Sequence, residues 1–499
     1  MSKLSLSPQP DHGEARLYIN GELRDAEGGR QYPNISPLSE EVVGVAADAS
    51  LKDAEAALTA ARRAFDDSDW STDHAKRLSC LRRFVDGLNR HIDELRAAVA
   101  DETGATQFFV NGPQCDGPVS MAHWPLDYLE RFEWQRELGD YEVMGVKSRR
   151  VVFKEAAGVV AAISPWNFPI QINLAKCLPA LAAGCTVVLK SAPETPWTAS
   201  LLGRIAAEAD MPPGVFNVLT ASDPAEIGNF LSTDPRVDVV SFTGSTAVGK
   251  IVMANAAQTV KRVFLELGGK SAMVVLDDAD LGTALFGSLA ICAHSGQGCA
   301  ITTRLLVPKD KLAETEELLR AYVGGMPYGS ADTSGEMQGP LISARQRQRV
   351  LDYIELGKRE GARLVLGGGV PAHLDKGFFV EPTIFSDVRN DMRIAREEIF
   401  GPVLVVIPYE DEDDAVHIAN DSVYGLAGSV YTSDNDKALK IARKIRTGTY
   451  AVNMYAFDPG APFGGFKNSG IGRENGPEGI EAYCEPKSIL LPFGYTPAD

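Results

Sequence analysis

From about residue 150 onward, short apolar runs alternate with segments whose apolar positions recur every three or four residues. VVFKEAAGVVAAISP predicts strand, LAKCLPALAAG helix and CTVVLKS strand. TASLLGRIAAEAD predicts helix and GVFNVLT strand, and VDVVSFTG is a strand that feeds a helix beginning near Thr246. A second series follows, with SAMVVLD as strand, Leu281 to Ala293 as helix, TTRLLVP as strand and KLAETEELLRAYV as helix. EGARLVLGG, GPVLVVIPY and YAVNMY add strands. This βαβ rhythm predicts parallel sheets with helices on both faces, in two α/β domains divided near Leu267. Residues 51–104 read as helical, with Ala57, Ala60, Ala61 and Phe65 at helical spacing, and 138–155 and 485–493 as outlying strands.

The length of 499 residues is too great for one ordinary core and agrees with two large domains. The 47 glycines suit the tight turns and close backbone approaches of α/β enzymes. A net charge of -18 argues against a general nucleic-acid partner. The opening residues have no apolar core with a small-residue cleavage site, and no run of about 18 apolar residues suggests a membrane span. The seven cysteines are odd in number and scattered, without C-x-x-C or Cys/His metal spacing. Reduced thiols in a cytoplasmic protein are expected.

Four short constellations carry candidate chemistry. Ser164-Pro165-Trp166-Asn167-Phe168-Pro169 follows a predicted buried strand, where open α/β sheets place their sites. The prolines fix the backbone, so the Asn167 amide is either a turn cap or a fixed oxyanion donor. Gly244 to Lys250, GSTAVGK, leaves a strand and opens a helix. It imitates a phosphate loop but is followed by Ile251, without the Mg²⁺-binding hydroxyl. It is either a glycine-containing βα turn or a metal-free diphosphate seat. In Glu266-Leu267-Gly268-Gly269 the glycines let backbone approach a ligand, and Glu266 is either a general base or a surface ion-pair partner. Cys299, between Gly298 and Ala300, is sterically open: a packing residue by frequency, a nucleophile by setting. His294 lies nearby in sequence.

Together, and in this order, these motifs resemble the aldehyde dehydrogenase superfamily from about Leu17 to Lys487. The resemblance rests on SPWNFP, VVLKSAPETP, FTGSTAVGK, LELGGKS, GQGCA, EEIFGPV and PFGGFKNSGIGRE. It implies two Rossmann-like α/β domains with a small β oligomerisation element. The cofactor-binding domain would comprise 1–130 and 155–266, the catalytic domain 267–484, and the oligomerisation element 131–154 and 485–499. Exposed strand edges of that element would pair subunits into a homodimer or homotetramer.

By the same resemblance Cys299 is the nucleophile, Glu266 activates the hydrolytic water, and Asn167 with the Cys299 N–H stabilises the oxyanion. Lys176 matches a lysine near the active site. NAD is the implied cofactor, with NADP as the alternative. Ile163, Ser164, Pro165 and Trp166 would line its strand-end seat. Lys190 would touch the adenosine ribose, beside Pro193 and Glu194, and Gly244, Ser245 and Gly249 would form the diphosphate loop. Leu267 would offer a backbone contact, and Glu398 and Phe400 would hold the nicotinamide ribose and ring. Phe168, Ile172, Ala175 and Gly298 would line the substrate tunnel with Ala300, Tyr455 and Phe457, which implies an uncharged, apolar aliphatic or aromatic aldehyde. Two departures stand out. The ribose motif often reads K-x-x-E, whereas Pro193 holds the fourth position here. The interval from Glu266 to Cys299 is also one residue shorter than is common. Glu266 argues against a CoA-acylating relative, which usually lacks it. A thiol hydrolase would need a Cys–His pair and no dinucleotide seat, and a non-catalytic protein reusing the fold would not need Cys299, Glu266 and Asn167 together.

Overall fold

The computed structural model describes residues 10–330, 333–454 and 457–495. Its largest sheet has the spatial order Gly470–Ile471, Arg262–Glu266, Val239–Thr243, Val159–Ile163, Thr186–Lys190, Phe216–Leu219, Leu17–Ile19, Glu22–Arg24. The run from Arg262–Glu266 to Phe216–Leu219 is parallel. Its central strands are buried on both faces and are therefore rich in apolar residues, VVAAI over Val159–Ile163 and VVL at the centre of Thr186–Lys190. From Val159–Ile163 the chain builds outward through Thr186–Lys190 and Phe216–Leu219. It then crosses to lay Val239–Thr243 on the opposite flank of Val159–Ile163. That reversal is a topological switch point, and the crevice outside its carboxyl ends is where such sheets bind ligands.

The helices are set by local chemistry as much as by periodicity. Leu51–Asp67 begins with a capping box: Ser50 Oγ accepts from the Lys52 and Asp53 N–H groups, and the Asp53 carboxylate accepts from Ser50 N at 2.9 Å. Ala57, Ala60 and Ala61 form its buried stripe. Pro169–Ala183 starts with proline at its first position, where the missing N–H costs nothing, and ends on Gly184 at φ 98°.

The second sheet runs Arg363–Leu366, Thr383–Ser386, Val403–Tyr409, Thr302–Pro308, Ser271–Val275, Gly428–Tyr431, Ala451–Val452, parallel except at the Arg363–Leu366 edge. A third, antiparallel sheet joins Cys484–Pro492, Val146–Ala156 and Gln135–Val143, and the last of these is exposed along its whole length. No helix among the described residues is long and apolar enough to cross a membrane.

Two expectations need correction. The segment from Leu281 to Ala293 is not one α-helix. It is α-helical over Leu281–Leu285, winds as 3₁₀ turns over Phe286–Ile291, and then bends through left-handed backbone at His294, Ser295 and Gly296. A 3₁₀ turn rises about 2.0 Å per residue against about 1.5 Å, so it spans a given length with fewer residues, in keeping with the shortened interval. The YAVNMY strand shrinks to Ala451–Val452, because Asn453 turns to φ 55° and breaks the extended run. Tyr455 lies outside the described residues.

Candidate active site

In the central sheet Ile163 pairs with both Lys190 and Phe242, and Thr243 pairs with Glu266. The chain segments leaving these strands therefore emerge side by side along one carboxyl edge. They are 164–167, 191–194, 244–245 and 267–269, which gathers three of the four constellations. The fourth, Cys299, arrives from the other sheet, just before Thr302–Pro308.

Asn167 is 3% exposed and held from both ends. Its side-chain amide donates to Gln297 O at 2.9 Å, and its carbonyl accepts from Gln114 Nε2 at 2.8 Å. One amide N–H of Asn167 thus ties its loop to the Cys299 loop, and the second remains to donate elsewhere. The cysteine loop is itself over-determined. His294, Ser295 and Gly296 take φ values of 46°, 54° and 69° in succession. For the two non-glycine residues that costs about 1–2 kcal/mol each. Gln297 offsets part of it: Nε2 donates to His294 O at 3.0 Å and Pro340 O at 3.2 Å, while Oε1 accepts from Ile342 N at 2.9 Å. Gly298 leaves room for Ile301 and the Phe168 ring, and a Cβ on Gly269 would collide with the Cys299 carbonyl.

Cys299 is half-buried, whereas Cys80, Cys115, Cys177, Cys185, Cys292 and Cys484 are all buried. Burial pushes its thiol well up, and the carboxylates of Glu266, Glu398 and Glu474 add to the shift. The resting sulfur is therefore a neutral thiol that must lose its proton to react. His294 is not placed to take it. Burial pulls its imidazole down to about 4, and its ring packs between Phe109 and Phe168.

Glu266 is 3% exposed and makes no ion pair among the described residues, so the surface-pair reading fails. Burial raises its carboxyl well above the usual range and Glu474 raises it further, while Lys176 and Arg473 pull the other way. Lys176 is fully buried, with Nζ 2.7 Å from Glu474 Oε1 and 3.2 Å from Ser241 Oγ. Glu474 was not singled out by sequence reasoning. Its only signal is its place at the end of PFGGFKNSGIGRE. That segment closes over Glu266: Gly470–Ile471 pairs with Leu265 and Glu266, and a Cβ on Gly470 would collide with Leu265 O.

The crevice has the features a dinucleotide seat requires. The Ser164 and Ser191 hydroxyls are buried and without hydrogen-bond partners. Lys190 is buried at its strand end, and burial pulls its amine down to about 8 despite Glu194 and Asp223. Ser245 is exposed at the start of the helix Thr246–Ala257, accepting from Val248 N at 3.3 Å. That helix end is open to an anion. Gly249, in the first turn of that helix, packs against Leu267, whose side chain a Cβ there would displace. Leu267 N donates to Ser469 O at 2.9 Å. Glu398 Oε1 accepts from Gly269 N at 2.9 Å, and burial pushes its carboxyl up to about 7. Phe400 sits at φ 61° with its ring 5.4 Å from that of Trp166, edge to face. The helix Ala344–Arg359, which sequence reasoning did not single out, holds this turn. Gln346 Nε2 donates to Phe400 O at 2.8 Å and Arg349 Nη2 to Glu398 O at 2.7 Å.

Two cavities flank Phe457. One is walled by Met121, Trp124, Leu174, Ala175, Phe457 and Ile480, with Gln171 and Asn475 as polar members. The other includes Ala300, Thr302, Phe457, Asp458 and Phe463. Phe463 and Cys299 both pack against the cluster of Ala300, Leu426 and Ala427, and the Phe463 ring lies 6.2 Å from that of Phe457. Ala175, Ala300 and Phe457 thus line these spaces. Phe168 and Gly298 sit together at the cysteine loop instead, and half-buried Ile172 lines neither cavity. Trp124 and Met121 come from a helical region far upstream whose periodicity gave no hint of them.

The chain is similar to known proteins in sequence and in fold. Residues 23–489 match the model of the aldehyde dehydrogenase family. A 3-succinoylsemialdehyde-pyridine dehydrogenase from a Pseudomonas species is 43% identical, over 95% of this chain and 98% of its own length. Geranial dehydrogenase from Castellaniella defragrans is 41% identical at the same coverage. Among solved structures, a Mycobacterium tuberculosis aldehyde dehydrogenase complexed with NAD+ superposes with a TM-score of 0.92 at 44% identity, covering 96% of this chain and 99% of that one. A mutant aldehyde dehydrogenase from Pseudomonas syringae, complexed with NAD+ and octanal, gives 0.92 at 38% identity, covering 99% and 100%. With its motifs, fold and length all in agreement, the chain belongs to the aldehyde dehydrogenase family.

Proposed function

We propose that this enzyme oxidises an uncharged, apolar aldehyde to a carboxylic acid through a thioester on Cys299, with NAD as cofactor. The observation that carries the reading is the convergence of a single accessible thiol, a clamped amide donor and an unpaired buried carboxyl at one sheet edge.

The crevice residues divide the cofactor between them. Lys190 serves the adenosine ribose, Gly244 and Ser245 the diphosphate, and Glu398 and Phe400 the nicotinamide end, with Ile163 to Trp166 and Leu267 along the strand ends. NAD, when bound, supplies the hydride acceptor. The chain's own residues do the rest. Cys299 sulfur bonds to the aldehyde carbon after giving up its proton, and the carbonyl oxygen becomes an oxyanion. The free Asn167 N–H and the Cys299 backbone N–H stabilise it. Loss of hydride from that carbon leaves the thioester. Glu266 then takes a proton from water, the hydroxide adds to the thioester carbon, and the C–S bond breaks to release the acid and the thiolate, which regains its proton from Glu266.

A carboxyl held protonated by burial is a poor base until the pH rises past its raised pKa. Steady-state kcat is therefore expected to climb with pH on its acid limb. Glu474→Gln removes the like charge that raises Glu266, so the limb should move to lower pH. A kcat–pH profile of the variant reads the shift, and an unmoved or alkaline-shifted limb contradicts the arrangement.

The substrate reading follows from the walls. Neither cavity has a Lys or Arg to pair with a substrate carboxylate. The relatives named for geranial and crystallised with octanal act on or bind apolar aldehydes. A panel scored by kcat/KM should place aliphatic or aromatic aldehydes above succinic semialdehyde, and the opposite order would overturn this reading. Self-association through the exposed Gln135–Val143 strand and the Cys484–Pro492 strand is part of the same proposal, and sedimentation velocity measures it directly.

A further inference from the structure

Arg345 stands in the first turn of the helix Ala344–Arg359, whose cap Ser343 accepts from Gln346 N at 3.2 Å. Its guanidinium reaches from the second sheet's side of the crevice to Glu194, at 3.7 Å. The Arg345 side chain is 88% exposed and that of Glu194 23% exposed. Glu194 lies at the ribose end of the crevice, four residues beyond buried Lys190. Lys190 and Arg345 both act on its carboxylate, while Asp223 faces Lys190 from another loop. The Ser191 hydroxyl, buried without a partner, shares the same edge.

We propose that Arg345 is the group that admits a 2′-phosphate on the adenosine ribose, opposed by Glu194, so that this pair sets the choice between NAD and NADP. The inference rests on the cofactor reading above. The carboxylate that would repel such a phosphate from position 193 is absent, because the residue there is Pro193. A separation of 3.7 Å is longer than the roughly 2.7–2.9 Å of a charge-assisted hydrogen bond, so Arg345 gives up little by turning to a better anion. Its planar fork of donors suits phosphate, and the start of a 16-residue helix adds positive potential beside it. Glu194 and Asp223 work the other way. Two cations against two carboxylates leave no net attraction for a dianion, so NADP is accepted without being preferred.

Fluorescence titration of the full chain with NADH and NADPH tests the pair. Arg345→Ala should weaken NADPH about tenfold relative to NADH. Glu194→Gln should shift the same ratio about threefold or more toward NADPH. Lys190→Met should weaken both ligands, since it removes a contact both share. An NADPH-to-NADH ratio in Arg345→Ala within about twofold of the unaltered protein overturns the proposal while leaving the cofactor reading intact. If Lys190→Met alters neither affinity, the ribose seat lies elsewhere, and the cofactor reading falls together with this inference.

Discussion

Cys299→Ala is expected to lower kcat by at least about three orders of magnitude while the protein still binds NAD. The argument is one of access as well as reactivity. Six cysteines are packed away, and Cys299 alone is half-buried, in a loop whose shape is forced by three successive left-handed residues and fixed by Gln297. Removing a sulfur that forms the covalent intermediate leaves no neighbouring nucleophile to replace it. Cys292, seven residues upstream, is fully buried among Leu285, Ile291 and Leu305, so its replacement should act on packing alone. Absorbance of reduced cofactor measures turnover and fluorescence quenching measures binding. A residual kcat above about a tenth of the unaltered value contradicts the nucleophile assignment.

Glu266→Gln is expected to separate the two halves of the cycle. Hydride transfer proceeds once per site, giving a burst of reduced cofactor, and the steady rate then falls by about two orders of magnitude or more, the usual worth of a positioned general base. The substitution is nearly isosteric in a site closed by Gly464 and Gly470, so it changes proton acceptance with little disturbance of packing. Should Glu266 also take the Cys299 proton, the burst shrinks as well. Unchanged steady turnover would refute its role in hydrolysis.

Much of this architecture is legible along the chain because parallel strands buried on both faces are near-continuous apolar runs. Val159–Ile163, Thr186–Lys190 and Ser271–Val275 could hardly be read as anything else. Asn167, Glu266 and Cys299 stood out for a related reason: each sits among prolines or small residues at the end or start of a strand. Other features are invisible to periodicity because they are made by distant segments. Lys176 and Glu474, 298 residues apart, meet only once PFGGFKNSGIGRE folds back onto the first sheet. Arg345 meets Glu194 across the crevice from a helix whose own pattern announces only an exposed face. The Leu281–Ala293 segment misled because apolar spacing does not distinguish an α-helix from the tighter 3₁₀ winding found over Phe286–Ile291.

The central claim is that oxidation runs through an acyl group on one particular sulfur, and rapid quenching followed by peptide mass spectrometry tests it most directly. Glu266→Gln protein mixed with NAD and a good aldehyde, then quenched within the burst, should carry the aldehyde's mass less two hydrogens on Cys299. Adduct and reduced cofactor should appear in equal amounts. Reduced cofactor without any acyl group on Cys299, or with the group on Cys292 instead, would contradict the account.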